Sequence, residues 1–154
     1  MRKDLYELLI SIDEKGQWEV PRSFRWRKLI KKVVSFKNDF EKIFGFKLDL
    51  DKQVQDGSFI ADLRLLEERK DSARTVFLSY TFCFRFSNFG NLFTVMNMPK
   101  EKEKYYSEIM ACRQILDENG YIYIDQDELE EIYDGVNEPY EEGLTWWTRF
   151  FDYL

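Results

Sequence analysis

The most regular alternation of apolar and polar residues in the chain runs from Thr75 to Phe86. At period two, Val76, Leu78, Tyr80, Phe82, Phe84 and Phe86 fall on one side, and Thr75, Phe77, Ser79, Thr81, Cys83 and Arg85 on the other. This predicts a strand over 74–86 with one wholly apolar face. Fully buried, those side chains would contribute roughly 9 to 18 kcal/mol of gross transfer free energy, at about 1.5 to 3 kcal/mol each. Residues 58–66 alternate as well, with Phe59, Ala61, Leu63 and Leu65 opposite Asp62 and Arg64, and residues 92–97 follow the turn-forming Ser87 to Asn91. Three such strands joined by short polar links predict an antiparallel meander.

A helical period dominates elsewhere. From Ser23 to Phe44, the apolar residues Trp26, Leu29, Ile30, Val33, Phe36, Phe40, Ile43 and Phe44 recur every three or four positions, and Gly45 follows as the stop. This stripe is the natural cover for the ring-bearing face of the sheet. Shorter helical patterns occupy 3–12 (Leu5, Leu8, Leu9, Ile12) and 101–118 (Tyr105, Ile109, Cys112, Ile115, Leu116). Residues 46–57 read as a connector and Tyr121 to Ile124 as a short extended piece. Asp125, with Glu128 three residues on, predicts a capped helix running through Leu129, Ile132 and Tyr133. The last segment, LTWWTRFFDYL, is aromatic. The expected fold class is therefore α+β: an antiparallel meander of three or more strands packed against amphipathic helices in a single domain, 1–154.

Composition sharpens this picture. A chain of 154 residues suits one domain and buries about 70% of its unfolded surface. With 14 Phe, 9 Tyr and 4 Trp, the core should be built from rings. No run approaches 18 apolar residues, and Asp4 and Glu7 interrupt the apolar start, so neither a membrane span nor a signal peptide is expected. A cytoplasmic protein follows as the expectation, with Cys83 and Cys112 kept as thiols. The chain has no histidine, which removes Ser/His/Asp and Cys/His nucleophilic sites and imidazole-bound metals. With no catalytic motif in the remaining residue types, a non-enzymatic protein without a cofactor is expected.

Charge is the other uneven feature. The net charge is -6, yet the stretch 22–37 carries seven cations (Arg22, Arg25, Arg27, Lys28, Lys31, Lys32, Lys37) and no acid. Nucleic-acid binding is one reading of this stretch. The acidic balance of the whole molecule and the lack of an accompanying fingerprint oppose it and favour a solvated helix face. From Asp125 to Glu142 the chain holds nine carboxylates and no Lys or Arg. Asp125-Gln126-Asp127 lacks the sixth-position glycine of a calcium loop, and neighbouring carboxylates are more often solvated than paired for acid/base work. The physical use of such a surface is to steer a basic protein partner. The candidate partner-binding residues are Asp127, Glu130, Glu131, Asp134 and Glu138, with Tyr133 and Tyr140 as aromatic anchors.

The closing segment from Gly120, with the acidic IDQDELEEIYDG followed by TWWTRFFDYL, resembles the end of several small immunity proteins that bacteria carry against polymorphic toxins. The resemblance spans about a quarter of the chain. It implies a small acidic α+β protein that binds a toxin domain and blocks its active site, and it assigns no residue by position. Two other classes stay open. One is a ligand-binding or enzymatic domain with an aromatic pocket between sheet and helices. The other is a nucleic-acid-binding regulator using 22–37.

Overall fold

The computed structural model describes all residues, Met1–Leu154, and its core begins where the two longest apolar stripes meet. Helix α2 (Trp26–Phe44) lies on strand β3 (Val76–Ser87) with Phe36 against Phe86, Phe40 against Phe84, and Phe44 against Phe82. Their ring centroids are 6.3, 4.9 and 5.0 Å apart. Four helical residues advance about 6.0 Å and two strand residues about 6.7 Å, so a helix read every fourth residue keeps step with a strand read every second one. Gly45 ends the helix in the left-handed conformation (φ 78°), donating its N–H to the Glu41 carbonyl.

Strands β1 (Asp49–Asp51), β2 (Phe59–Lys70), β3, β4 (Leu92–Met96) and β5 (Ile122–Tyr123) form one sheet in that order. The first four make an antiparallel meander. After helix α3 (Tyr106–Glu118), β5 returns parallel to β4. The fold is α+β, as the sequence predicts, with β1 and β5 added at the sheet edges. On one face α2 and α3 bury Ile30, Val33, Phe36, Phe40, Ile109, Cys112 and Leu116 against the rings of β3. No helix is long and apolar enough to cross a membrane.

The opposite face departs from expectation. Sequence alone leaves the mixed side of β3 open to water, a shallow pocket or a partner surface, but Cys83 is fully buried there. Helix α1 (Lys3–Ile12) and the chain from Ile124 through helix α4 (Trp146–Phe151) cover it, packing Leu5, Leu9, Leu129, Trp146, Phe150 and Phe151 into a second core. Arg85 is accommodated by a two-pronged pair with Asp62, both bonds 2.9 Å, and a third bond to the Phe151 carbonyl, while its guanidinium lies 3.8 Å from the Phe59 ring centroid. Cys83 and Cys112 are free. Burial pushes the Cys83 thiol well above its ordinary value and the Cys112 thiol up to about 12.

The outer half of β3 also differs. Arg64 pairs with Cys83 but Leu66 with Tyr80, so β3 carries one extra residue at a bulge around Thr81 and Phe82. The bulge turns Tyr80 to the second core, away from Phe82. Beyond it, β1 and β4 no longer flank the hairpin, which continues as a two-stranded ribbon, and Val76, Phe77 and Leu78 are exposed there, Leu78 at 66%. Of the six residues of the predicted apolar face, Val76 and Leu78 are therefore exposed and Tyr80 lies on the second core. The helix expected over 101–118 starts only at Tyr106, after turns that place Tyr105 in the left-handed region (φ 71°).

Candidate partner-binding surface

The acidic segment forms one 3-10 turn, Gln126–Leu129, and then leaves helical geometry. Asp125 does cap it, accepting the Asp127 N–H at 3.1 Å. The helix predicted to run on through Tyr133 does not form. Its carboxylates, three and four residues apart with no cation between them, repel along a helix. The backbone bonds outward instead: Tyr133 N–H donates to the Leu144 carbonyl at 2.8 Å, and Trp146 N–H to the Glu131 carbonyl at 3.1 Å.

What fixes this loop is a buried polar cluster. Asp13 and Arg149 form an ion pair at 2.7 Å with both side chains fully buried. Arg149 also donates to the carbonyls of Trp18 (3.0 Å) and Gln17 (2.8 Å). Asp13 accepts from the Tyr133 hydroxyl, from the Val136 N–H at 2.9 Å and from the Asn137 amide at 3.0 Å. The Asn137 amide donates to the Glu14 carbonyl as well, and its oxygen accepts from Gly16 N–H at 2.5 Å. Gly135 sits against this cluster so closely that a Cβ there would collide with Asp13 Oδ2 and the Tyr133 ring. Three chain segments, 13–18, 133–137 and α4, are thereby locked to one another.

Tyr133 belongs to this cluster. It is 2% exposed and packs on Trp146 and Trp18. Burial first, then its hydrogen bond to Asp13, holds its phenol above the ordinary value. Its role as a surface anchor is thus corrected: the ring faces inward because its hydroxyl finds Asp13 there. The other candidate residues, Asp127, Glu130, Glu131, Asp134, Glu138 and Tyr140, are all exposed. Glu131 pairs with the amino group of Met1, and Glu128 with Arg2 at 2.8 Å. The remaining seven carboxylates between Asp125 and Glu142 have no cation from this chain.

Apolar residues stand among these charges. Ile132 is 64% exposed, Val136 and Tyr140 are exposed too, and Ile132, Pro139, Tyr140 and Glu141 border a shallow groove. Tyr140 is braced edge-on against Trp18, with centroids 5.1 Å apart. Ile132 and Val136 are absent from the sequence-derived site because a helix would have turned Ile132 toward the core. Asp13, Asn137 and Arg149 escape sequence reading as well. The only visible signal is a single cation inside the aromatic run TWWTRFF. No protein-family model, curated protein or solved structure matches the chain.

Proposed function

We propose that this protein is a non-enzymatic binding domain whose acidic loop engages a basic protein, and that it acts as an immunity protein covering the active site of a toxin. The observation that carries this reading is the pairing of seven uncompensated carboxylates with exposed Ile132, Val136 and Tyr140 on a loop held rigid from beneath. Unpaired surface acids raise the local negative potential and speed encounter with a cationic partner. Apolar and aromatic side chains inside that ring of charge supply the desolvated contacts that slow dissociation. Anchoring the loop through Asp13, Asn137 and Arg149 settles its conformation before binding, so less ordering entropy is lost on association.

The test begins by isolating the partner through co-purification from the source cell or co-expression with the neighbouring gene product. Glu130→Lys with Glu138→Lys, two exposed residues whose side chains make no ion pair within the chain, should slow association by about tenfold at low salt and flatten its salt dependence. Tyr140→Ala should leave the association rate alone and raise the dissociation rate. Partner binding with unchanged rate constants in both variants would refute the acidic-loop interface. A partner whose toxicity is not relieved by this protein would refute the immunity role while leaving the interface standing.

A further inference from the structure

The basic stretch plays no part in that surface, and it borders a separate cavity of about 360 Å³ between the start of α2 and the β3–β4 turn. Fifteen residues line it and none is acidic. Lys28 and Lys32, four residues apart, share one face of α2, and Arg25, at the N-cap with its guanidinium on the Phe24 carbonyl, borders the same cavity. None of them has an ion-pair partner in the chain. The first turn of α2 holds no acid, and no side chain caps its N-terminus. Cations stacked on the positive end of a helix repel its dipole, an arrangement that an anion would relieve.

A neutral donor completes the site. Tyr121 is 4% exposed, and its ring is wedged edge-on between Phe36 and Phe86. Lys32 Nζ lies 5.9 Å from the ring centroid. The hydroxyl has no hydrogen-bond partner in the protein, yet it is not among the buried atoms sealed from solvent. Tyr121 itself is one of the residues that line the cavity. A hydroxyl with no protein partner, on a nearly buried tyrosine that borders the same cavity as Arg25, Lys28 and Lys32, is a donor available to an oxygen-rich anion there.

We infer that this cavity binds a phosphate-bearing small molecule, held by Arg25, Lys28 and Lys32 and by the Tyr121 hydroxyl. Three cations and a hydroxyl suit a doubly charged group with three acceptor oxygens better than a single carboxylate. The volume admits a sugar phosphate or mononucleotide. A long polyanion fits less well, because the net charge of -6 repels it once it leaves the pocket.

Titration of the intact protein with inorganic phosphate, ribose 5-phosphate and adenosine monophosphate, followed by calorimetry and phosphorus NMR, tests this site. At least one probe should bind saturably with one-to-one stoichiometry. Lys28→Ala and Lys32→Ala should each weaken it about tenfold, the usual cost of one charge-assisted bond. Lys31→Ala removes the same charge from a position outside the cavity and should change the affinity by less than about twofold. Tyr121→Phe should weaken binding about fivefold without moving the unfolding midpoint, since that hydroxyl holds nothing in the protein. Absence of saturable binding would overturn the inference. So would equal loss in Lys31→Ala, which marks a diffuse field, or binding of a single-stranded oligonucleotide but of none of the three probes.

Discussion

Asp13 accepts hydrogen bonds from Tyr133, Val136, Asn137 and Arg149, so its carboxylate neutralises a guanidinium that has no access to water. Asp13→Ala would strand that buried charge and should cost about 3 to 5 kcal/mol in urea unfolding. Gly135→Ala is a gentler probe of the same cluster. The added methyl would meet Asp13 and the Tyr133 ring, both immobilised by their bonds, for an expected loss of about 1 to 3 kcal/mol. Amide exchange at 133–138 should quicken in that variant, because the acidic loop has no other internal anchor of this kind. None of this cluster is visible as a pattern in the sequence. Asp13 and Arg149 are 136 positions apart, and a lone Asp after a helix or a lone Arg among rings carries no periodic signal.

At the level of elements, the ring ladder between α2 and β3 is legible because it rests on two periods that can be read separately and then matched. Phe84→Ala should cost about 3 to 5 kcal/mol, as a fully buried ring in the middle of the ladder. Leu78→Ser, six residues earlier on what the sequence assigns to the same face, should change stability by less than about 0.5 kcal/mol. Thermal or urea unfolding of the two variants checks the contrast, and equal losses would mean that the ribbon packs like the core. The sequence fails at this point for a definite reason. A bulge adds one residue without changing the alternation of residue types, so the switch of Tyr80 to the other face is silent in the pattern. The acidic 125–133 segment misleads in the opposite sense: its cap is real, but charge repulsion and the bonds to Leu144 and Glu131 end the helix after one turn.

For the molecule as a whole, an ion-paired carboxylate and buried thiols make stability sensitive to pH at both ends. Burial pushes the Glu41 carboxyl up, but hydrogen bonds from Lys37 and Lys47 and the Lys37 charge pull it further down, leaving it below the ordinary 4.5. Its contribution is present above that value and is lost as pH falls through the lower folded one. Cys112 acts at the other end. Its thiol loses a proton near 9.0 when unfolded but only near 12 when folded, so stability falls as pH rises across that interval. The unfolding midpoint should be flat near neutrality and decline at both extremes, and Cys112→Ala should reduce the alkaline slope. A steep alkaline decline that survives this substitution would place its origin in Cys83 or in the buried tyrosines Tyr121 and Tyr133, whose thiol and phenols are also held high by burial. Of the candidate surface, the unbroken run of acids was legible at this scale. What makes it a presented surface, the second layer under the sheet, was not, because that layer joins residues from both ends of the chain.

That junction sets an order of events during synthesis. The meander and α2 use residues 26–96, a continuous stretch with mostly local pairings that can assemble as soon as it leaves the ribosome. Helix α1 is made before the meander, yet its partners Leu129, Trp146 and Phe150 are made after it. Until then Leu5, Leu9 and the Cys83 face of the sheet stand open, and closing that layer must recruit a loop of more than a hundred residues. From the emergence of β4 until that of α4 the nascent chain is thus a sheet covered on one face, and α4 completes the cover.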